Sequence, residues 1–205
     1  TESEGSYIRL HYAPCRQTHQ EMREFYRKIV HMLFGLGIAA LIFAAPKELT
    51  LAVLMLGTFT GILFTDAILR GYRVPVISGL VDSLERRGAL PGRGALTFAV
   101  SSLFCVIFFD KSAVVPAIIA LAVLDGTATI IGFYFGRAKV VHGKTIEGSL
   151  AGITLCFIAL LPFLPAITAA LVSLVAGLVE LFSPLDDNLL IPVSVCILLT
   201  ALATV

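Results

Sequence analysis

The sequence predicts an all-α protein, a polytopic bundle of about seven transmembrane helices, and three observations lead to this fold class. Of the 205 residues, 58% are hydrophobic and only 14% are charged, whereas soluble domains average about 25% charged residues. The mean hydropathy is +0.94. The apolar residues fall into long runs separated by short polar segments. This composition excludes soluble globular, disordered and fibrous proteins, and the net charge of +1 predicts no nucleic-acid partner.

A helix needs roughly 20 apolar residues to cross a bilayer, and seven runs approach this length. The fifth and sixth runs are short and meet at residues 162–165, so they form either a tight hairpin or a re-entrant pair. We expect residues 1–23 to form a polar N-terminal segment, part of it a remnant of expression or a processed end, and residues 24–205 to form a single transmembrane domain. Residues 1–28 lack the apolar region of a signal peptide. The predicted spans are 29–45, 49–69, 95–109, 113–135, 148–162, 165–182 and 189–205.

Positive charge is divided very unequally between the connecting segments. Thirteen of the 15 Lys and Arg residues lie before span 1, between spans 2 and 3, or after span 4, and the other two are Lys47 and Lys111. Because cytoplasmic segments are enriched in Lys and Arg, the sequence predicts a cytoplasmic N-terminus and, with seven spans, a C-terminus outside.

The stretch Asp82–Arg87 is predicted to form a short charged helix that ends at Gly88.

Asp125 lies deep in the fourth predicted span. On a regular helix it stands about 18 Å from Arg137, at 1.5 Å per residue. A carboxylate at that depth is costly unless it is paired, hydrated or bound to a metal, and such residues usually mark functional sites. The alternative is a structural Asp that is protonated or hydrogen-bonded. We expect Asp125 to belong to the functional site.

The segment after span 4 combines glycines, cations, hydroxyl groups and a carboxylate. Glycines let backbone amides approach an anion, and Arg and Lys neutralise phosphate charge. Glu147 is placed to reach a divalent cation on those phosphates. The alternative is an ordinary basic cytoplasmic loop. A Walker A motif is excluded because Ala138 occupies the position of its first glycine and a helix precedes it. The expected phosphate-binding residues are Gly136, Arg137, Lys139, Gly143, Lys144, Thr145 and Ser149.

Two further polar groups are predicted on the same membrane side. Arg27 and His31 are four residues apart and share a helical face at the start of span 1, next to Lys28. His31 is either an interfacial residue or part of the site. The acidic residues between spans 6 and 7 either hold Mg²⁺ or form a solvated turn. They are Glu180, Asp186 and Asp187. Cations, carboxylates and glycines beside an apolar bundle suit an enzyme that joins a nucleotide to a lipid.

Six short motifs, in this order, resemble those of the polyprenol kinase family, which includes dolichol kinase, phytol kinase and CTP-dependent diacylglycerol kinase. They span residues 24 to about 192, nearly the whole chain. The matching segments are 24–31, 90–95, 124–128, 135–137, 143–149, and 187–189 with Pro192. The chain looks like a minimal, prokaryotic member, because it lacks the long N-terminal membrane extension of eukaryotic dolichol kinases.

The resemblance implies a CTP-dependent kinase that transfers the γ-phosphate to the hydroxyl of a membrane lipid alcohol, giving a lipid phosphate and CDP. It also implies that Arg27, Lys28, Asp125 and Gly132 match residues needed for activity. We therefore expect an integral membrane enzyme of a prokaryotic cell membrane with a cytoplasmic active site. The predicted catalytic residues are Asp125, Lys144, Arg27, Lys28 and His31, Gly132 joins the nucleotide-binding set, and Asp125, Glu147 and Asp187 are the predicted Mg²⁺ ligands.

Two other functions stay open at this point. A CTP-dependent cytidylyltransferase, which makes a CDP-lipid and releases pyrophosphate, needs the same cations and metal, but the acidic ending typical of CDP-diacylglycerol synthases is absent. A transporter would use Asp125 as an ion site, but no inverted repeat is visible. The role of Asp125 as a metal ligand or as a general base is also open.

Overall fold

Short polar segments, several with Pro or Gly, divide the apolar sequence into helices. The computed structural model describes residues 3–73, 75, 79, 90–140, 143–183 and 186–203, and of residues 3–21, 23 and 24 it describes the backbone alone. Within these ranges the chain is all-helical, without a strand. The helices are α1 (Ser3–Ala44), α2 (Lys47–Leu69), α3 (Arg93–Phe108), α4 (Lys111–Phe135), α5 (Ile146–Leu160), α6 (Ala166–Phe182) and α7 (Asp187–Ala203).

These helices follow the predicted apolar runs within two residues at each bound, except at the start of α1. Helix α1 runs without a break from Ser3 to Ala44 and so includes polar residues that precede span 1. The predicted short helix at Asp82–Arg87 lies outside the described residues.

Three helical segments are long and apolar enough to cross a membrane, namely Phe25–Ala44 of α1, all of α2 and all of α4. The other four helices are apolar but have only 15 to 17 residues. These lengths and compositions are those of a membrane protein.

Helix α4 forms the centre of the bundle. It packs against α1 on one side and against α5 and α7 on others, and its side chains are buried over most of its length. Helix α2, in contrast, packs mainly against α3 and makes few contacts with α1. Of its residues only Thr50, Leu54 and Thr58 are buried. The wide separation of α1 and α2 creates the cavity described below.

Small residues allow α4 to approach its neighbours closely. A Cβ atom at Gly148 of α5 would lie 2.8 Å from the Cα atom of Gly132 in α4. A Cβ atom at Gly126 would lie 2.8 Å from Sδ of Met32 in α1. Glycine and alanine at helix contacts are typical of membrane bundles, where backbones approach without large side chains between them. The helix continues through Gly126, so this glycine serves packing and does not break α4.

The two lysines that stand apart in the charge distribution meet at one end of the bundle. Nζ of Lys47 donates to the carbonyl of Ile107 over 3.4 Å, and Nζ of Lys111 donates to the carbonyl of Ala45 over 3.5 Å. The ammonium of Lys111 also lies over the ring of Phe43. The ends of α1 and α3 and the starts of α2 and α4 therefore share one end of the molecule.

Candidate functional site

A buried ion pair joins α1 to α4. Nζ of Lys28 lies 2.7 Å from both carboxylate oxygens of Asp125. Both residues are more than 90% buried. Since each charge is costly to bury alone, the pair accounts for a carboxylate in the middle of an otherwise apolar helix.

His31 completes this group one helical turn after Lys28. Its Nε2 atom lies 3.7 Å from Oδ2 of Asp125, which is too far for a hydrogen bond. Among the described residues Nε2 has no hydrogen-bond partner, although it is buried. The ring of Phe98 packs edge-on against the imidazole at 5.0 Å and fixes its position. We call Lys28, His31 and Asp125 the Asp125 cluster.

A second group, the Lys144 cluster, consists of the buried residues Ser149 and Glu180 and the partly buried residues Lys144 and Asp187. Nζ of Lys144 lies 2.8 Å from Oδ2 of Asp187 and 3.1 Å from Oε1 of Glu180, and it also donates to the backbone carbonyl of Glu180. The hydroxyl of Ser149 donates to Oε2 of Glu180 over 3.0 Å. This cluster ties the start of α5 to the end of α6 and the start of α7.

The Lys144 cluster has one ammonium for two carboxylates, and its pKa values reflect this imbalance. Burial alone would lower the pKa of Lys144, but the contacts with Asp187 and Glu180 raise it above its ordinary value. Burial raises the pKa of Asp187 to about 6, against the opposing effect of Lys144. The lysine is therefore charged at neutral pH, and Asp187 titrates closer to neutrality than an ordinary Asp.

The segment between α4 and α5 folds back on itself. The amide of Val140 donates to the carbonyl of Lys144, and the amide of Ile146 donates to the carbonyl of Ala138. Gly143 turns the chain with a φ of 80°, a conformation that favours glycine. Val141 and His142 lie outside the described residues. The turn directs Lys144 into its cluster.

The other residues predicted in this segment are placed differently. The side chains of Arg137 and Lys139 are exposed. Thr145 caps α5, since its hydroxyl accepts the amide of Gly148. Gly132 and Gly136 leave room for Thr145, because a Cβ atom at either position would lie within 2.7 Å of its side chain. Both glycines thus have a packing role, and their part in nucleotide binding stays a prediction.

The three predicted Mg²⁺ ligands do not form one cluster. Glu147 accepts the amide of Ala138 with both carboxylate oxygens, at 3.2 and 3.3 Å, and Asp125 is engaged by Lys28. No three His, Cys, Asp or Glu residues in the described ranges lie close enough together to hold a metal ion.

Asp187 fits a metal-ligand role best. Only its Oδ2 atom accepts from Lys144, while Oδ1 is buried without a hydrogen-bond partner in the described part of the chain. Mg²⁺ commonly binds through one or two carboxylates together with substrate phosphates, so a preformed set of three protein ligands is not required.

A cavity of about 610 Å³ lies between α1, α2 and α3, and the Asp125 cluster forms its polar end. Arg27 and Asn188 line this end as well. The amide of Asn188 donates to the hydroxyl of Thr97 over 3.3 Å and so holds the start of α7 against α3. The remaining walls are mainly apolar.

Sequence reasoning placed Glu180 in a connecting turn, but it lies within α6 and is 4% exposed. A carboxylate within an apolar run usually marks a functional site, as at Asp125. The sequence therefore did contain a signal for Glu180. Asn188 belongs to the polar segment before span 7 and to the motif at 187–189, so the sequence did indicate it. Phe98 carried no comparable signal, since a Phe in an apolar run is common.

No protein-family model matches the chain, and no solved structure matches it significantly. The uncharacterized protein MJ1137 of Methanocaldococcus jannaschii is 35% identical over 176 residues, which cover 83% of this chain and 90% of that protein. An alignment of this identity and extent covers most of both chains and not merely a shared motif. The chain therefore belongs to the same family as MJ1137.

Proposed function

We propose that the protein is a CTP-dependent kinase of a membrane lipid alcohol, which transfers the γ-phosphate of CTP to the lipid hydroxyl and releases CDP. The observation that carries this proposal is the position of the Asp125 cluster, at the polar end of a cavity with mainly apolar walls. A hydroxyl group on a hydrocarbon chain needs such a site, because its tail requires apolar walls and its reacting oxygen requires polar groups.

The Asp125 cluster supplies the groups that act on the hydroxyl. The Asp125 carboxylate accepts a hydrogen bond or a proton, and Lys28 stabilises the negative charge that develops beside it. His31 has a buried ring nitrogen for which the described residues offer no partner, and it is available to the same oxygen. Phosphoryl transfer depends mainly on positioning and on charge neutralisation, and these residues serve both needs.

The nucleotide is assigned to the side of Lys144 and the neighbouring basic segment. Arg137 and Lys139 have exposed side chains and bear the positive charges that phosphates require, while the ammonium of Lys144 holds Asp187. Asp187 would hold a Mg²⁺ ion, which when bound neutralises phosphate charge. The preference for CTP comes from the family resemblance and not from a base-reading residue.

Radioactive label transfer tests the proposal directly. Purified protein is incubated with an extracted lipid fraction and with CTP labelled in either the γ- or the α-phosphate. We expect lipid label from γ-labelled CTP alone. Label from the α-phosphate would identify a cytidylyltransferase, and absence of label from both, with Asp125-dependent ion flux in vesicles, would identify a transporter. Asp125→Asn serves as the inactive control.

We further propose a multi-pass topology with the N-terminus and both clusters on the cytoplasmic side. The meeting of Lys47 and Lys111 at one end of the bundle supports it, since these are the two cations outside the predicted cytoplasmic segments. In a cysteine-free background, Lys139→Cys should react with an impermeant reagent only from inside, and Lys111→Cys only from outside. Equal labelling of both from outside would refute this orientation.

A further inference from the structure

Helices α3 and α7 lie side by side and run in the same direction. At their starts, Nε of Arg93 lies 3.2 Å from Oδ2 of Asp186. One turn further along α3, the hydroxyl of Thr97 accepts the side-chain amide of Asn188 in the first turn of α7 over 3.3 Å. Since both helices begin at this end of the bundle, positions equally far beyond these contacts lie next to each other.

Two cysteines occupy such matching positions. Cys105 lies eight residues after Thr97 on α3, and Cys196 lies eight residues after Asn188 on α7. Because residues spaced by four positions share a helical face, the two side chains lie where α3 and α7 meet. The thiols of Cys105 and Cys196 are hydrogen-bonded to each other.

Both cysteines are free thiols without exposed surface, in the apolar core of the bundle. A buried thiol that stands alone is inert, because it has neither access to reagents nor a partner. A contacting pair differs from it, because each thiol supplies the sulfur with which the other can form a bond. Cys156 of α5 is also buried and free, and it serves below as the cysteine outside this pair.

We infer that Cys105 and Cys196 form a redox modification site, at which a reversible disulfide links α3 to α7. The S–S bond forms as two S–H bonds break, and two electrons and two protons pass to an external acceptor. Because the thiols lie in the apolar core, this acceptor is an uncharged, lipid-soluble two-electron oxidant, a quinone by class, which becomes the quinol. The hydrogen-bonded sulfurs approach to about 2.05 Å as the bond forms.

The disulfide would join two parts of the molecule that carry different site residues. Helix α3 contributes Gly94 and Ala95 to the cavity wall, and α7 begins with Asp187 of the Lys144 cluster. The bond would fix these helices relative to each other and would close a long loop of the chain, which restricts the unfolded state and raises stability. The inference does not depend on the proposed kinase activity.

Thiol counting on full-length protein in detergent tests the inference. A Cys15→Ser background leaves Cys105, Cys156 and Cys196 as the only cysteines. Diamide, an uncharged two-electron oxidant that becomes the corresponding hydrazine, should remove two of these three thiols, and dithiothreitol should restore them. Mass spectrometry should find the peptides of Cys105 and Cys196 linked. The temperature of unfolding should rise by at least about 5 °C on oxidation.

Single substitutions show which cysteines react. Cys156→Ser is the matched control and should still lose two thiols, whereas Cys105→Ser and Cys196→Ser should each lose none and gain no stability. If diamide leaves all thiols free in the folded protein but oxidises them after denaturation, the inference is wrong. A disulfide that includes Cys156, or one between two chains, would also overturn it.

A charged oxidant tests the nature of the acceptor. Ferricyanide carries three negative charges and does not enter an apolar interior, since burying an uncompensated charge is very costly. It should therefore oxidise the pair of Cys105 and Cys196 much more slowly than diamide does. Equal rates with the two oxidants would refute the assignment of a lipid-soluble acceptor.

Discussion

The Asp125 cluster and the Lys144 cluster differ in their balance of charge. In the Asp125 cluster one lysine faces one carboxylate, and both oxygens of that carboxylate are engaged by Nζ of Lys28. In the Lys144 cluster one lysine faces two carboxylates, and one oxygen of Asp187 has no partner among the described residues. The first cluster is electrically satisfied and lies at an apolar cavity, which suits a neutral hydroxyl. The second retains negative charge, which suits a cation carried by a nucleotide.

The largest effect should come from Asp125→Asn. This change keeps the shape of the side chain, so we expect the fold to persist, with lower stability because Lys28 loses its carboxylate. Phosphate transfer should fall by at least about 100-fold, the lower range for loss of an acid–base group. Asp110→Asn, at the opposite end of the same helix, should be silent. Binding of CTP with Mg²⁺ then separates the two roles of Asp125: weakened binding indicates metal ligation, and unchanged binding indicates a base. Full activity would place the reaction elsewhere.

The Lys28–Asp125 pair should also show strong coupling in stability. Lys28→Met leaves the carboxylate buried without its cation, a loss of about 3–5 kcal/mol for buried pairs. The double variant Lys28→Met with Asp125→Asn removes the stranded charge and should recover most of that stability. Thermal unfolding in detergent measures the difference. If the double variant is no more stable than Lys28→Met, the two side chains are not coupled in the native protein.

Lys144→Ala should reduce turnover at least about tenfold, or roughly 1.4 kcal/mol of transition-state stabilisation, because the ammonium that holds Asp187 and Glu180 is lost. The same change at Lys111, at the far end of the bundle, is the matched control and should leave turnover unchanged. Lys144→Arg retains the positive charge and should restore part of the activity. Wild-type turnover in Lys144→Ala would indicate that the segment between α4 and α5 is an ordinary basic cytoplasmic loop.

The smallest effect is a pH dependence from Asp187. Since its pKa is raised to about 6, the folded protein holds this proton more tightly than the unfolded chain, and stability should fall as pH rises from about 4 to about 6. A metal ligand must be deprotonated. The affinity for CTP with Mg²⁺ should therefore weaken about tenfold between pH 7 and pH 5. In Asp187→Asn this dependence should vanish, and a retained dependence would assign it to another group.

The helical architecture was predictable because each apolar run is bounded by polar or proline-containing segments, and the helix bounds lie within two residues of those runs. The exception is α1. The first residues of α1 are too polar to belong to a membrane span. A helix formed by the apolar half of α1 continues through them, and a hydropathy profile does not reveal this extension.

The sequence marked Asp125 as a functional residue, but it did not show which cation would pair with its carboxylate. The spacing of Arg27 and His31 predicted that these two residues share a helical face. In the structure the ion pair with Asp125 is made by Lys28, because the face of α1 that carries Lys28 and His31 lies against α4. The partnership of Lys144 with Glu180 depends on the packing of α5 against α6, a contact between residues 36 positions apart. A single sequence does not specify such contacts, and so the second cluster could not be assembled from it.

The glycine contact between α4 and α5 makes the two clusters one mechanical unit. Gly132 and Gly148 bring the backbones together without a side chain between them, so this main-chain contact helps to set the offset between Asp125 on α4 and Ser149 on α5. A larger residue at position 148 would push the start of α5 outward and displace Ser149 and Lys144 together. A substitution at the contact between α4 and α5 would therefore alter both clusters, whereas substitutions on α1 or α6 would change one cluster at a time.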